Sequence, residues 1–105
     1  MPEITIKDVE DAIDDLRKLG ADAEQIYKEA RLKEGMLKRT HALQAKMSNQ
    51  KAVEARRIEA FASEKYEEAL NEDAIAFANR QMHEHAWDLN KTIIGVWQSK
   101  VKDRT

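Results

Sequence analysis

The chain has 105 residues, room for a single domain over residues 1–105, and 36% of them are charged, with a net charge of −2. This near-neutral balance differs from that of a uniformly basic nucleic-acid-binding domain. The absence of cysteine excludes disulfides and thiolate metal sites. No run of about 18 apolar residues occurs, so we expect a cytoplasmic protein without secretion signal or membrane span.

The charges alternate in four blocks along the chain. Residues 1–24 and 58–88 carry net charges of −5 and −6, whereas residues 25–57 and 89–105 carry +6 and +3. Such alternation is typical of helices that pack side by side with complementary faces, within one chain or between two.

The first predicted helix begins after Thr5, which has the character of an N-cap, with Asp8 at the third helical position. Apolar residues then recur at helical spacing, a narrow seam suited to one partner helix: Ile6, Val9, Ile13 and Leu16. Gly20 is placed as a C-terminal cap, so the pattern predicts that the helix ends there.

A second helix is predicted from about Ala23 to Met47, because Asp22 and Gln25 resemble a capping box. Its apolar residues cover a wide face, enough for two neighbours. Ser48 and Asn49 then favour a third helix over residues 50–62.

The stretch from Ser63 to Val101 is predicted to form one long helix, with Ser63 as its cap unless the third and fourth helices are continuous. At 1.5 Å per residue it would be roughly 57 Å long, more than the width of a globule of this size. We therefore expect an all-α fold, an elongated, coiled-coil-like helical hairpin or bundle with a long C-terminal helix.

Large apolar side chains on the long helix are candidates for contact with a partner or a second copy: Phe77, Leu89, Ile93 and Trp97. Trp97 could equally anchor the core against the first helix, and both roles are compatible if the core forms between subunits. Because one chain offers few helices to cover these residues, we expect a homo-oligomer, with a dimer as the first choice.

Basic residues of the second and third helices could instead follow a nucleic-acid backbone: Lys38, Arg39, Lys46, Lys51, Arg56 and Arg57. Aromatic side chains for base stacking are missing from this block except for Tyr27 at its start. Two acidic blocks of comparable size could neutralise it, and we favour that interpretation over nucleic-acid binding.

No catalytic, cofactor or metal site is predicted. The triplet His83-Glu84-His85 is the most site-like, but neighbouring helical positions diverge, so its two histidines cannot share a metal ion. We expect a solvated polar face there, with His83 stacking on Trp87 four residues on. No serine lies in a nucleophile elbow and no glycine-rich phosphate loop occurs, so we expect no enzymatic activity.

Two segments carry a resemblance: KAVEARRIEAFASEKY over residues 51–66, and IGVWQS over residues 94–99 with the basic tail through Arg104. Their order and separation resemble a group of small helical proteins of tailed bacteriophages, whose genes lie among recombination and replication functions. The sequence departs from that group at two positions. The group has arginine where this chain has Gln98, and often proline or aspartate where this chain has Glu64. The first departure weakens the idea of an anion site at the C-terminal end.

The resemblance implies a phage accessory protein that acts through protein contacts in phage DNA metabolism, in the cytoplasm of a bacterial host. One alternative is a nucleic-acid-binding module that uses the basic residues 28–57. Another is an inhibitor that presents the acidic residues 59–73 to a host DNA-processing enzyme.

Overall fold

The computed structural model describes residues 3–103 as three helices, and no strand occurs among them. Helix α1 spans Ile6–Met47, α2 spans Val53–Phe61 and α3 spans Glu64–Asp103, with lengths of 42, 9 and 40 residues. The all-α class with a long C-terminal helix is thereby confirmed. Arg104, at the end of the predicted basic tail, lies outside the described residues.

The chain divides into two compact units. The terminal unit comprises Met1–Gln25 and Gln81–Thr105, and the central unit comprises Ile26–Arg80. Each unit contains a segment of α1 and a segment of α3, and the central unit also contains α2.

In the terminal unit the two helical segments run antiparallel. Glu3 at one end pairs with Lys100 at 3.5 Å, whereas Leu19 lies beside His83. The less exposed positions of α1 follow alternating steps of three and four residues, the spacing of a helix that contacts one neighbour. They are Val9, Ala12, Leu16, Leu19 and Ala23. The less exposed positions of α3 follow the same steps, at His83, Ala86, Asn90, Ile93, Trp97 and Lys100.

The central unit is a helical hairpin with α2 in its connection. The Lys33 ammonium lies 3.2 Å from a Glu72 carboxylate oxygen, and the Arg80 guanidinium lies 5.0 Å from the centre of the Tyr27 ring. These contacts pair earlier residues of α1 with later residues of α3, so the segments are antiparallel here as well. Ala60 on α2 is buried, with 1% of its surface exposed.

Small residues form the buried positions where helices meet. Ala12 in the terminal unit and Ala30, Ala60 and Ala76 in the central unit are the buried apolar residues, and no large side chain is fully buried among the described residues. Alanine allows two helices to approach closely but removes little apolar surface from water. Each unit is therefore held by a thin layer of contacts rather than by a deep core.

The predicted helix end at Gly20 is wrong, because α1 continues through it without interruption. No described glycine has a positive φ, so Gly20 does not adopt the left-handed conformation of a C-terminal cap. A glycine inside a helix is unfavourable by only about 1 kcal/mol relative to alanine, and packing against α3 on this part of α1 outweighs that penalty. Asp22 accordingly lies inside α1 and caps nothing.

The third predicted helix begins later than expected, at Val53, with Ala52 as its N-cap. Neither Ser48 nor Asn49 caps α2. Ser48 makes two other hydrogen bonds instead. Its Oγ accepts a hydrogen bond from the Gln50 N–H at 3.1 Å and donates one to Glu59 Oε2 at 2.7 Å.

Two predicted caps are confirmed by hydrogen bonds. The Thr5 N–H donates to Asp8 Oδ2 at 2.9 Å, while the Asp8 N–H donates to Thr5 Oγ1 at 3.2 Å. Ser63 accepts a bond from the Tyr66 N–H at 3.2 Å and donates to the Ala60 carbonyl at 2.8 Å. The second arrangement ends α2 and starts α3 at one residue, so these helices are separate.

Candidate functional site

The four predicted contact residues occupy three different environments on α3. Phe77 belongs to the central unit and is 54% exposed. In the terminal unit, Leu89 is 62% exposed, whereas Ile93 and Trp97 are half-buried. Trp97 follows the row of α3 residues that faces α1, and Leu89 points away from it. The four residues therefore do not form one continuous patch.

Phe77 lines a groove of about 370 Å³ between α1 and α3 of the central unit. The other lining residues combine apolar and charged side chains: Ala30, Glu34, Leu37, Lys38, Asp73 and Arg80. The Lys38 ammonium lies 3.5 Å from a Glu34 carboxylate oxygen, so part of the charged rim is neutralised locally. The groove is thus lined by apolar and charged side chains together.

A row of exposed apolar side chains in the terminal unit follows α3 about a quarter turn round the helix from the row that faces α1. Its exposed members are Met82 at 71%, Leu89 at 62% and Val96 at 40%, spaced seven residues apart. Ala86 and the Ile93 of the predicted contact set lie between them in sequence, but they are half-buried and continue the row of α3 that contains His83, Asn90 and Trp97. We call the three exposed residues Met82, Leu89 and Val96 the outer row of α3. Sequence analysis identified only Leu89 of this set, because it did not separate the outer row from the residues that face α1.

The six predicted nucleic-acid residues all lie at the surface of the central unit. Three of them have local partners. Lys38 pairs with Glu34, Arg57 lies 3.3 Å from a Glu54 oxygen, and Arg56 Nε donates to the Gln50 carbonyl at 2.5 Å.

The other three predicted basic residues are the better candidates for a phosphate contact. Arg39 and Lys46 are seven residues apart on one face of α1, and Lys51 lies in the connection before α2. Three exposed cations can contact fewer phosphates than all the basic residues of block 25–57 together could.

An aromatic cluster that sequence analysis missed joins all three helices of the central unit. The ring centroids of His41 and Phe61 are 4.0 Å apart, and those of Phe61 and Tyr66 are 5.2 Å apart in an edge-to-face arrangement. His41 Nε2 is buried without a hydrogen-bond partner among the described residues. No local spacing signals this cluster, because its members come from different helices.

The expectation that the triplet His83-Glu84-His85 is solvent-exposed is wrong at His83, because this residue is buried, with 6% of its surface exposed. Its Nε2 lies 2.7 Å from the Leu19 carbonyl oxygen of α1, so the ring crosslinks the two helices of the terminal unit. The predicted stacking on Trp87 is confirmed, with ring centroids 6.5 Å apart and an angle of 16° between the planes. His85 is exposed, and the divergence predicted for the two histidines holds.

Asn90 is the second buried polar residue in this part of α3. It is 8% exposed, and its Nδ2 donates to the Ala86 carbonyl at 2.8 Å. The described residues contain no group of three histidine, cysteine or acidic side chains placed to hold a metal ion. Of these two buried polar residues, His83 links α3 to α1, whereas the Asn90 amide bonds to the backbone of its own helix.

None of the helices between residues 3 and 103 combines the length and the hydropathy that crossing a membrane requires. Comparison with protein-family models, with curated proteins and with solved structures gave no match for this chain.

Proposed function

We propose that this chain is a non-enzymatic helical accessory protein of a tailed bacteriophage, which acts through protein contacts in phage DNA metabolism. In this proposal it works in the cytoplasm of the bacterial host as a homo-oligomer, most simply a dimer. The phage setting rests on the resemblance of residues 51–66 and 94–99. The proposed action through protein contacts rests on the apolar side chains that are exposed at the surface.

One observation carries the proposal: large apolar side chains lie at the surface of both units. Leu70, Ile75 and Phe77 of the central unit are 44%, 64% and 54% exposed, and the outer row adds three more in the terminal unit. Fully burying a side chain of this kind contributes about 1.5–3 kcal/mol relative to full exposure, and these side chains retain roughly half of that exposure. A partner that covers them would therefore be strongly favoured.

Self-association is tested by light scattering over a range of protein concentrations. We expect about twice the chain mass of 12.1 kDa. A mass equal to one chain at every accessible concentration would contradict the homo-oligomer.

Contact with a foreign protein is tested by capture from host extract, with wild-type protein compared with two surface variants. Loss of the captured protein with Phe77→Asp, and its retention with Glu67→Lys/Glu68→Lys, supports contact through the apolar surface. The reverse pattern would favour an inhibitor that presents its acidic helix, because Glu67 and Glu68 are exposed in the first turns of α3.

Nucleic-acid binding is tested on the same material by a gel-shift assay at low and high salt. The proposal expects no salt-dependent complex with duplex or single-stranded DNA. A complex that Arg39→Glu/Lys46→Glu abolishes would replace the proposal by the nucleic-acid-binding alternative.

A further inference from the structure

We infer that an exposed edge of α1 in the central unit binds an acidic amphipathic helix of a partner protein. The inference rests on the proposed action through protein contacts and names the chemistry of one such partner. We define the basic edge of α1 by six exposed residues, three cationic and three aliphatic: Lys28, Leu32, Met36, Arg39, Leu43 and Lys46.

The basic edge has the spacing of a surface that contacts one further helix. Its members follow one another in steps of four, four, three, four and three residues, so they share one side of α1. They lie about 150° round the helix from the less exposed row that faces α2 and α3, given 3.6 residues per turn. That row comprises Ala30, Lys33, Leu37, His41 and Gln44. The described part of the central unit therefore packs on another side of α1 and leaves the edge at the surface.

The aliphatic side chains of the edge retain about half of their exposure. Leu32, Met36 and Leu43 are 54%, 41% and 51% exposed. They lie within a strip that runs from residue 28 to residue 46, roughly 27 Å at 1.5 Å per residue. A partner that covers this strip removes apolar surface from water, so it needs apolar side chains of its own along a similar length.

The cations of the edge determine the charge of that partner. Lys28, Arg39 and Lys46 make no ion pair or hydrogen bond with other described residues. The two acidic residues of α1 in the central unit lie off the edge, each in an ion pair with a neighbouring lysine: Glu29 with Lys33, and Glu34 with Lys38. The edge thus presents positive charge alone, and its complement is an acidic surface. The same edge of a second copy would bring like charges together and is not complementary to it.

The mixture of side chains favours a protein over a nucleic acid. Phosphates would pair with the cations, but the backbone of a duplex offers no apolar surface to cover the aliphatic residues. Single strands bind through aromatic side chains on which the bases stack, and the edge contains none. An acidic amphipathic helix supplies carboxylates and apolar side chains together.

The border of the edge favours a protein helix over an anionic membrane. The cations lie on one side of the aliphatic residues, whereas Glu29 lies on the other side, three residues before Leu32. Glu72 of α3 lies on that side as well, because it shares Lys33 with Glu29. A flat layer of anionic headgroups would approach both carboxylates. A helix is only about 10 Å wide, and its side chains can match a border of either sign.

The spacing of the edge also specifies what the partner helix carries. Arg39 and Lys46 are seven residues apart and alternate with the aliphatic residues. A helix that follows α1 over several turns keeps nearly the same period, so its carboxylates should recur about every seven residues, with apolar side chains between them.

The first experiment uses as its probe a fluorescein-labelled helical peptide of about 20 residues, long enough to follow the edge. The peptide carries leucine and glutamate at its contact positions on an alanine-rich background. The matched control peptide carries glutamine in place of each glutamate. We expect the wild type to bind the acidic peptide about tenfold more tightly than the glutamine peptide, with an affinity that falls as salt is added. Fluorescence anisotropy measures both. Equal affinities, or no binding of the acidic peptide, would overturn the inference.

Two charge-reversal variants locate the binding surface. Arg39→Glu/Lys46→Glu should abolish binding of the acidic peptide and permit binding of a peptide with lysine in place of each glutamate, a gain that misfolding cannot produce. Lys51→Glu/Lys65→Glu makes the same change in net charge at exposed positions outside the edge and should still bind the acidic peptide. Equal losses in the two variants would overturn the edge as the binding surface, as would the absence of binding between the first variant and the lysine peptide.

Leu43→Ser tests the aliphatic part of the edge, with Ile75→Ser as the matched control. Both residues are exposed in the central unit, at 51% and 64%, but Ile75 lies on α3. We expect the acidic peptide to bind Leu43→Ser about tenfold more weakly than it binds the control, with equal helix content by circular dichroism. Equal affinities would mean that the edge acts through charge alone, which would overturn an amphipathic helix as its occupant.

Other occupants are tested with the same charge-reversal variants. Duplex DNA, or vesicles of phosphatidylglycerol, bound in place of the acidic peptide and released by Arg39→Glu/Lys46→Glu would overturn the inference. A fall in mass from dimer to single chain in that variant would identify a second copy as the occupant and would overturn it too. Failure of the acidic peptide alone leaves the proposed action through protein contacts intact, because capture through the surface that contains Phe77 tests that proposal separately.

Discussion

At Gly20, an alanine methyl group would meet Trp87 Cζ3 at 3.9 Å, an ordinary van der Waals contact. Since Gly20 lies inside α1 without a positive φ, Gly20→Ala should raise the free energy of unfolding by about 1 kcal/mol. Gly35→Ala, with nothing within 4 Å of the added carbon, is the control and should have a similar effect. Urea unfolding measures both. Destabilisation at Gly20 alone would mean that α1 ends there, as the sequence pattern predicted.

Ser63 and Asp22 both have the sequence signature of an N-cap, but only Ser63 acts as one. Ser63→Ala removes the bond from the Tyr66 N–H and should lower the free energy of unfolding by about 1 kcal/mol. Asp22→Ala, inside α1, should be neutral or stabilising because alanine is the better helix former. Equal losses for the two variants in urea unfolding would contradict the continuous α1.

Asp8 makes the start of α1 sensitive to acid. The Thr5 backbone N–H, and then the Thr5 hydroxyl, hold the pKa of the Asp8 carboxyl below its usual value of 3.8. A lowered pKa in the folded state means that this contribution is complete above pH 3.8 and is lost as pH falls through the folded-state pKa.

We therefore expect Asp8→Asn to be less stable than the wild type near neutral pH and to differ little from it at pH values below the folded-state pKa. Thermal unfolding at several pH values measures the difference. A gap between the two proteins that is independent of pH would contradict a role for the charged carboxylate.

Among the three helices, α2 is the one whose N-terminus has no hydrogen bond from a capping side chain. Its N-cap, Ala52, has extended backbone angles (φ −79°, ψ 137°) but no side chain that could accept a bond from the first turn. Ala52→Asp should supply that acceptor and raise the free energy of unfolding by about 1 kcal/mol. Ala52→Leu, which supplies no acceptor for the first turn, is the control and should not stabilise. Chemical unfolding of both variants decides whether Ala52 is the cap.

Sequence patterns predicted those elements whose signals are local. Thr5 with Asp8, and Ser63 with Tyr66, act over three residues, so the starts of α1 and α3 could be identified. The continuation of α1 through Gly20 depends instead on residues distant in sequence. Leu19 and His83, whose contact helps to hold this part of α1, are 64 positions apart.

The candidate surfaces show the same limit. The exposure of Leu89 followed from its apolar character in a chain with few helices. The division of α3 into a side that faces α1 and an outer row required knowledge of where α1 lies. His83 was misplaced for that reason, since a histidine within the triplet His83-Glu84-His85 has no local sign of burial.

At the scale of the whole molecule, part of the charge alternation is used within the chain. In the central unit, Lys33 of the basic block pairs with Glu72 of the following acidic block at 3.2 Å. In the terminal unit, Glu3 and Lys100 join the first and last blocks. The Glu3–Lys100 pair is exposed and contributes little to stability, whereas Lys33 is only 23% exposed. The charge blocks thus match each helix with its neighbour at these two places.

Coupling between folding and self-association gives the last prediction. If the folded chain forms a dimer and the unfolded chain does not, binding stabilises the folded state by mass action. A rise in concentration from well below the dissociation constant to a hundred times above it should add about 2.7 kcal/mol to the free energy of unfolding. The wild-type midpoint of thermal unfolding should therefore rise with concentration. A wild-type midpoint that is independent of concentration would mean that the thin layer of contacts within each unit is sufficient without a second copy, and would contradict the proposed self-association.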